Sequence, residues 1–263
     1  MNKLGITLIS LFLCLVAFHI LVMKPEKYIE KDIYDSIMKR GTLKVGINFD
    51  SKPFGFKDKN GKLCGYDVEL AQYIAEHLIG SREKLELISV TPNDRLIKLS
   101  TGEVDIVIAT MTITPQRQQI IDFSIPYDIA GQALLVRKSS KISSISDLSG
   151  QSIGVIWGTT AEKNMLNILP SANVVGFKTY AEAYNALKSG KIEAITSDDT
   201  ILSGFALNDS NTKLLPKRYS REPYGIGFKK GKGSAKLKIA LDEAITDLKQ
   251  KNVINRLHKK WLG

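Results

Sequence analysis

Cysteine and histidine are scarce in this sequence of 263 residues, which contains two cysteines and three histidines. Cys14 and Cys64 are too few to form a disulfide scaffold or a zinc site. His19, His77 and His258 are scattered, and no two of them have the spacing of metal ligands. We therefore predict no metal and no cofactor.

Proline and glycine are also few, at 8 and 20 residues, which excludes collagen-like and low-complexity chains. With 43% apolar and 24% charged residues, the composition is that of a globular protein. The length suits one large domain or two domains of ordinary size.

The formal net charge of +10 is concentrated at the end of the chain. Residues 1–212 carry 23 basic and 23 acidic side chains, whereas residues 213–263 carry 14 basic and 4 acidic ones. A basic segment can bind nucleic acid. Here the lysines lie among helically spaced apolar residues such as Leu237, Leu241 and Ile245, which is typical of a solvated helix face. We expect no nucleic-acid partner, and attraction to an anionic membrane surface stays open.

A long apolar run stands at the N-terminus. It extends from Leu4 to Met23 behind Lys3, and charged residues end it. Its 20 residues would span about 30 Å as a helix, enough to cross a bilayer. The run has no polar face, which favours an export signal over a buried core helix. We predict that residues 1–24 are a signal peptide or a retained membrane anchor, and that residues 25–40 are a linker. The rest of the chain is then expected outside the cytoplasm.

From Gly41 onward, short β-rich runs alternate with segments of helical periodicity. The predicted strands are residues 43–47, 85–90, 104–109, 133–136, 152–156, 174–177 and 192–196, and the predicted helices are residues 67–78, 95–99, 160–169, 180–187, 234–248 and 253–261. Such alternation is typical of α/β proteins with mostly parallel sheets.

A weak internal repeat indicates two similar halves. Residues 99–105 resemble residues 187–193, and each stretch holds a helix end, a glycine and the start of a strand. The offset of 88 residues places Thr110 opposite Asp198, each just past the carboxyl end of its strand. Ligands of open α/β sheets bind at that edge. The repeat therefore predicts two lobes with a cleft between them.

The segment from Thr110 to Arg117 runs from a strand through a polar turn into a helix. Thr114 is a good N-cap, and Pro115 suits the first helical position. Free N–H groups at a helix N-terminus attract an anion, and Arg117 and the Thr112 hydroxyl stand at the same end. This combination predicts a carboxylate site, with a capped helix and a surface arginine as the alternative.

Two further polar groups follow strands of the second half. Asp198 and Asp199 end an apolar strand and could pair with an ammonium group, although we expect one of them to cap the following helix. Thr159 and Thr160 stand at another helix N-terminus and offer hydroxyl groups. The two halves would thus offer an anion site and a cation site at the edges of the predicted cleft.

A series of motifs resembles one family throughout the chain from Gly41. The matching stretches are Gly41–Gly46, Pro53–Phe54, Gly65–Ala71, Gly102–Asp105, Thr112–Arg117, Asp122–Tyr127, Asp147–Gly150, Tyr180–Ala183, Tyr224–Ile226 and Lys260–Trp261. On these motifs the chain is similar to the extracytoplasmic solute-binding proteins of polar amino-acid ABC importers, family 3. Within that family it looks closest to the binders of glutamate, aspartate and glutamine.

The resemblance implies a two-lobed periplasmic-binding-protein fold of type II. This is an α/β fold in which two mostly parallel sheets, flanked by helices, are joined by two crossover strands. Residues 41–127 and 226–263 would form lobe 1, and residues 128–225 would form the hinge strands and lobe 2. The crossovers would fall near residues 127–132 and 222–227.

The resemblance also implies which residues hold the amino acid. Arg117 would bind the α-carboxylate together with Thr112 and the Thr110 backbone, and Asp198 would bind the α-ammonium group. The remaining hydroxyl groups of the cage would be those of Thr159 and Thr160.

The ligand's side chain would meet two other residues. Arg95 occupies the place of an arginine in relatives with acidic ligands, although it could also be a solvent-facing helix residue. Asn48 stands where such relatives tend to have a lysine, and a neutral amide could serve glutamine as well as glutamate. We expect glutamate, with glutamine next.

Two other functions are compatible with the same fold. A cyclohexadienyl dehydratase would need a general acid beside the carboxylate-binding arginine, and no glutamate lies in the predicted pocket segments, so we do not expect an enzyme. For a sensory module we would expect a second membrane segment and a signalling domain. The expected partners are a free amino acid, the permease of an ABC importer and, through the N-terminal segment, the membrane. We expect a monomer.

Overall fold

The structure is a computed structural model that describes residues 32–263. The predicted signal or anchor at residues 1–24 lies outside the described residues, as does the first part of the predicted linker. Within residues 32–263, no helix combines the length and the apolar character needed to cross a membrane.

The helices of this part of the chain are α1 (Ile33–Arg40), α2 (Tyr66–Ile79), α3 (Arg95–Thr101), α4 (Pro115–Gln118), α5 (Thr160–Ile168), α6 (Tyr180–Lys188), α7 (Asp199–Asn208), α8 (Ala235–Gln250) and α9 (Val253–Trp261). The strands are β1 (Leu43–Ile47), β2 (Asp50–Ser51), β3 (Gly55–Lys57), β4 (Leu63–Cys64), β5 (Leu85–Ser89), β6 (Ile106–Val107), β7 (Ile121–Phe123), β8 (Asp128–Ala130), β9 (Gln132–Arg137), β10 (Ser152–Ile156), β11 (Asn173–Phe177), β12 (Ala194–Asp198), β13 (Thr212–Leu214), β14 (Glu222–Tyr224) and β15 (Gly227–Lys229).

The first lobe is built on a sheet with the strand order β5-β1-β6-β15-β7. β1 pairs in parallel with β5 and β6, whereas β15 runs antiparallel to β6 and β7. Leu43, Val45 and Ile47 of β1 are fully buried. α2 packs on β1, and α8 and α9 pack on α2. This helical layer covers the face of β1 on which these three side chains lie.

The second lobe repeats this plan with the strand order β11-β10-β12-β9-β13. β10 pairs in parallel with β11 and β12, and β9 runs antiparallel to β12 and β13. Helices α5 and α6 pack on β10 and β12, and α7 packs on β9 and β13. The predicted α/β fold with two helix-flanked sheets is therefore confirmed, and both sheets are mixed, each with two parallel and two antiparallel strand pairs.

Two short strands join the lobes. β8 and β14 form an antiparallel pair of their own, in which Ala130 lies opposite Glu222 and Asp128 lies opposite Tyr224. Both strands fall within the crossover segments predicted near residues 127–132 and 222–227. The chain thus passes between the sheets at one paired hinge, which is the arrangement expected of a two-lobed fold.

A cluster of buried aromatic rings lies beside this hinge. Tyr127 and Tyr224, at the two crossovers, have ring centroids 6.0 Å apart, and Tyr66 stacks on Tyr127 at 6.2 Å. Phe54 contacts Tyr66 at 5.5 Å and Tyr224 at 5.9 Å. Each such pair contributes about 0.5–1.5 kcal/mol beyond the area it buries. The cluster therefore fixes both crossovers against the core of lobe 1.

The segment predicted as a linker over residues 25–40 contains helix α1. The Asp32 side chain caps it by accepting a hydrogen bond from the Asp35 N–H at 3.1 Å. Gly41 ends it in the left-handed region at φ 70°, as a residue after a helix C-terminus often does. Ile37 is fully buried, and α1 packs on α8. The folded part therefore begins before Gly41, because one apolar face of this charged segment is needed to cover α8.

The strand predicted over residues 104–109 is shorter than its apolar run. Only Ile106 and Val107 belong to β6, although the Ile108 N–H still donates to the Gly46 carbonyl at 3.0 Å. At Thr110 the backbone turns into the left-handed region, with φ 45°. Ile108 and Ala109, which follow β6, are buried because they pack in the apolar core of lobe 1.

The burial of α1 gives a stability prediction. Ile37→Ala should lower the free energy of unfolding by about 2–4 kcal/mol, because it leaves a cavity under α1. The measurement is urea denaturation followed by circular dichroism. Met38→Ala, at an exposed position of the same helix, is the control and should change stability by less than about 0.5 kcal/mol. Equal effects of the two variants would contradict the placement of α1 in the fold.

Candidate functional site

A small cavity lies between the two lobes. Lobe 1 contributes residues that follow β5 and β6, and lobe 2 contributes residues at the carboxyl ends of β10 and β12 and at the start of α6. The lining residues are Pro92, Arg95, Thr110, Thr112, Arg117, Thr159, Thr160, Tyr180 and Asp198. The structure therefore brings together every site residue predicted from the sequence except Asn48.

Arg117 is held at the cavity by a capped turn. The Thr114 hydroxyl accepts a hydrogen bond from the Arg117 N–H at 3.2 Å at the start of α4. The guanidinium donates from Nη1 to the Thr112 carbonyl at 2.8 Å and from Nη2 to the Gly158 carbonyl at 3.1 Å. Burial lowers the pKa of Arg117, and the Asp198 carboxylate opposes that shift. Arg117 is thus a half-buried cation that already reaches from lobe 1 to lobe 2.

Asp198 places a carboxylate in the same cavity from lobe 2. It is the last residue of β12 and precedes α7, but its side chain makes no capping hydrogen bond to that helix. Instead the Tyr224 hydroxyl donates to Oδ2 of Asp198 at 2.5 Å. Burial raises the pKa of Asp198 to about 7, and the hydrogen bond from Tyr224 opposes the shift. The side chain is therefore directed to the cavity and the hinge.

The expectation that one of the two aspartates caps α7 is wrong. Asp199 accepts a hydrogen bond from the Gly131 N–H at 2.9 Å and forms an ion pair with Arg218. It thus ties the start of α7 to the hinge, while Asp198 faces the cavity. In the sequence, an aspartate that caps a helix looks the same as one that faces a cavity. Only the tertiary contacts distinguish the two roles.

Arg95 begins α3 and is buried, with 3% of its surface exposed. The alternative of a solvent-facing helix arginine is therefore excluded. Its Nη1 donates to the Ala109 carbonyl at 2.7 Å. Burial is the main cause that lowers the pKa of Arg95 to about 9, and the positive charge of the neighbouring Arg117 contributes to this shift. Two guanidinium groups of lobe 1 thus line the cavity between the lobes.

Thr110 and Thr112 line the cavity from the stretch after β6. The Thr110 N–H donates to Oδ2 of Asp67 at 3.1 Å, so it is not free to meet a carboxylate as predicted. Thr110 therefore offers its hydroxyl and carbonyl groups instead. Thr112 forms an isolated bridge with Tyr224, which links this wall of the cavity directly to the crossover β14.

Thr159 and Thr160 lie where α5 begins. The Thr159 hydroxyl donates to the Ile156 carbonyl at 2.7 Å, and the Gly158 N–H donates to Oε2 of Glu162 at 3.1 Å. The first N–H groups of an α-helix have no partner within the helix. The N-terminus of α5 therefore offers N–H donors and the Thr160 hydroxyl to an anion in the cavity.

Asn48 does not line the cavity. Its Oδ1 accepts a hydrogen bond from the Asp50 N–H at 3.0 Å, which orders the turn between β1 and β2. Two residues that do line the cavity, Pro92 and Tyr180, are missing from the sequence prediction. Tyr180 follows the helix cap Thr179 at the start of α6. Its place at a helix start just after the parallel strand β11 is the sequence feature from which its position at the cavity could have been predicted.

Several hydrogen bonds join the lobes around the cavity. Oδ2 of Asp50, in lobe 1, accepts from the N–H groups of Tyr180 at 2.7 Å and Ala181 at 3.3 Å, at the start of α6 in lobe 2. Lys52 Nζ donates to Oδ1 of Asn208 at 2.9 Å. Together with the contact between Arg117 and lobe 2, these bonds show that the lobes are closed on each other.

Two glycines allow this closure. A Cβ atom at Gly158 would lie 2.6 Å from the Pro92 carbonyl oxygen, and Gly158 also has φ 78°. A Cβ atom at Gly204 would lie 2.6 Å from the Lys52 carbonyl oxygen. At both positions the glycine of lobe 2 lies against the backbone of lobe 1, so a larger residue would hold the lobes apart.

Among residues 32–263, no cluster of three or more histidine, cysteine or acidic side chains could hold a metal ion.

Comparisons with known proteins point to one family. The model described as bacterial extracellular solute-binding proteins, family 3, matches residues 43–263. A glutamine-binding protein of Geobacillus stearothermophilus is 43% identical over 198 residues, which are 74% of this chain and 76% of that protein. The ABC transporter glutamine-binding protein GlnH of Bacillus subtilis is 36% identical over 241 residues, covering 91% of this chain and 88% of that one. Among solved structures, the ancestral amino acid-binding protein AncCDT-1, a precursor of cyclohexadienyl dehydratase, matches with a TM-score of 0.81 at 36% identity, covering 88% of this chain and 99% of that one.

The raised pKa of Asp198 predicts that this residue destabilises the protein when no ligand is added. In an unfolded chain an aspartate has a pKa of about 3.9, whereas folding raises that of Asp198 to about 7. The folded state therefore binds the proton more tightly, and this contribution to stability is lost as the pH rises from about 4 to about 7. Asp198→Asn cannot ionise and keeps an acceptor for Tyr224. It should raise the free energy of unfolding at pH 8 by on the order of a few kcal/mol.

Asp209, at the other end of α7, is the matched control. A hydrogen bond from the Tyr184 hydroxyl lowers the pKa of Asp209 to about 2. Asp209→Asn should therefore change stability in the opposite direction at pH 8. Guanidinium denaturation of both variants makes the comparison, and a less stable Asp198→Asn would contradict the burial of an unpaired carboxylate in the cavity.

Proposed function

The chain belongs to the bacterial extracellular solute-binding proteins of family 3, and we propose that it captures a free polar amino acid between its lobes and delivers it to the permease of an ABC importer. The name of the Bacillus subtilis relative supports the link to such a transporter. We place this activity outside the cytoplasm, as the family's description and the apolar N-terminal run support. We further propose that the protein acts as a monomer.

The observation that carries the proposal is the pair of opposite charges facing one closed cavity. Arg117 comes from lobe 1, and Asp198 comes from lobe 2. A free amino acid carries a carboxylate and an ammonium group on one carbon atom. A buried zwitterion needs both an anionic and a cationic partner, and this cavity offers one of each.

In this proposal the α-carboxylate lies on Arg117 and at the N-terminus of α5, and the α-ammonium group lies on Asp198. An arginine guanidinium can hold both oxygens of a carboxylate at once. Since the two charged groups of the ligand then contact different lobes, the ligand stabilises the closed form over an open one. Closure would in turn present a defined surface to the permease.

The side chain of the ligand is proposed to end in an amide or a carboxylate. The small cavity is enclosed by residues of both lobes, which suits one small molecule, not a peptide. Arg95 stands in it as a second cation and can donate hydrogen bonds to either group. The two named relatives bind glutamine, which supports glutamine; the sequence alone favoured glutamate. We therefore propose glutamine or glutamate as the ligand.

An enzymatic role has less support. Among the residues that line the cavity, Asp198 is the one carboxyl group, and Tyr224 already donates to it. A dehydratase needs a general acid that reaches the reacting oxygen, and Asp198 is instead suited to a permanent ammonium partner.

The proposal predicts the loss of binding when either charge is removed. Arg117→Ala or Asp198→Ala should weaken glutamine and glutamate binding by about two to four decades, because an unpaired buried charge costs about 3–5 kcal/mol. The measurement is calorimetric titration of protein that has been partly unfolded and refolded to remove carried-over ligand. Arg256→Ala, at an exposed position of α9, removes the same type of side chain and should bind normally. Near-normal binding by Arg117→Ala or Asp198→Ala would contradict the site.

A further inference from the structure

We propose that Asp67, which does not line the cavity, is the counter-charge of Arg95 and makes the site prefer glutamine to glutamate. This inference rests on the proposed function and deepens it, because it assigns the choice between two ligands to one carboxylate behind the cavity wall.

One peptide group connects the two side chains. Arg95 donates from Nη1 to the Ala109 carbonyl at 2.7 Å, and the N–H of the next residue, Thr110, donates to Oδ2 of Asp67 at 3.1 Å. The carbonyl and the N–H belong to the same peptide unit and point to opposite sides of it. Its dipole therefore has its negative end on the guanidinium and its positive end on the carboxylate. The unusual φ of 45° at Thr110 accompanies this orientation of the chain.

The other contacts of Asp67 suit an ionised carboxylate. The Tyr127 hydroxyl donates to Oδ1 at 3.1 Å, so both oxygens of Asp67 act as acceptors. Asp67 also lies in the first turn of α2, a helix of 14 residues, where a negative charge is favoured. Burial is the main cause that raises the pKa of Asp67 to about 7, and the charge of Asp128 contributes to this rise. The bonds from Tyr127 and Thr110 and the charge of Arg95 oppose the rise. The two donated hydrogen bonds and the helix N-terminus both favour the ionised form.

This carboxylate completes the charge balance of the site. The cavity itself holds two cations, Arg95 and Arg117, and one anion, Asp198. Without Asp67, a ligand with one net negative charge would balance them, which describes glutamate. With Asp67 ionised, the four groups already cancel, and a ligand without net charge is preferred because a buried excess charge is costly.

The groups around the hinge do not reverse this balance. Near the two aspartates lie the acidic residues Asp128, Asp199 and Glu222, and Asp199 is paired with Arg218. They add no cation to the cavity. Arg95 is thus free to use its remaining N–H groups on the neutral amide oxygen of glutamine.

The test compares the affinities of the full-length protein for glutamine and glutamate at pH 8. Wild type should bind glutamine more tightly. Asp67→Asn, nearly the same shape, should shift the ratio of the two dissociation constants toward glutamate by about tenfold, as expected for one unit charge acting across a peptide unit at an effective dielectric constant of about 20. Glu69→Gln removes the same charge from the same helix, at a side chain paired with Lys260, and should leave the ratio unchanged.

Each outcome decides a separate question. A folded Asp67→Asn protein with the wild-type ratio, or a wild type that prefers glutamate, would overturn the inference while amino-acid binding itself stood. If Asp67→Asn does not fold, Tyr127→Phe replaces it: loss of the hydrogen bond to Asp67 should shift the ratio toward glutamate several-fold, and an unchanged ratio would overturn the inference. Failure of wild type to bind any amino acid would instead overturn the proposed function.

Discussion

The need to pair buried charges governs this structure. Arg95 and Arg117 lie in one cavity between the lobes, and each is buried enough for its pKa to fall. Asp198 faces them from the other lobe, and burial raises its pKa to about 7. Shifts in these directions mean that burial makes each of these charges costly. A ligand with charges of both signs removes that cost. We propose that closure of the lobes and binding of the ligand therefore answer one electrostatic requirement.

The hinge positions both acidic groups. Tyr224, at the end of crossover β14, donates to Asp198 in lobe 2, and Tyr127, just before crossover β8, donates to Asp67 in lobe 1. The two tyrosine rings pack against each other at 6.0 Å. One aromatic cluster thus orients the carboxylate that lines the cavity and the carboxylate behind its wall. Any motion of the crossovers acts on both carboxylates, which gives the hinge a direct physical connection to the charges of the site.

Periodicity and capping signals predicted many of the helices and strands and part of the candidate site, whereas the crossovers and the inclusion of Arg95 and Asn48 came from the resemblance to a family. The strand at residues 152–156 and the helix at residues 253–261 agree with β10 and α9, because each pattern is enforced by local burial. Arg117 was recognisable because its partners, Thr112 and Thr114, are close in the sequence.

Features that depend on distant residues were not predictable in this way. Ile37 is buried only because α8 packs on it, about two hundred residues further along the chain. Asn48 was predicted to meet the ligand, but it bonds to the N–H of Asp50, and Asp50 in turn accepts a hydrogen bond from the distant start of α6. Asp67 belongs to a sequence motif, but its relation to Arg95 exists only through the peptide between residues 109 and 110.

The central claim is that the charges of the ligand hold the two lobes closed. Small-angle X-ray scattering of the purified, ligand-depleted protein, before and after saturation with glutamine, tests it most directly. The account predicts a smaller radius of gyration with glutamine, and no such change in a protein that lacks the guanidinium of Arg117. Identical scattering with and without bound glutamine would show that the lobes close without the ligand, and would contradict the claim.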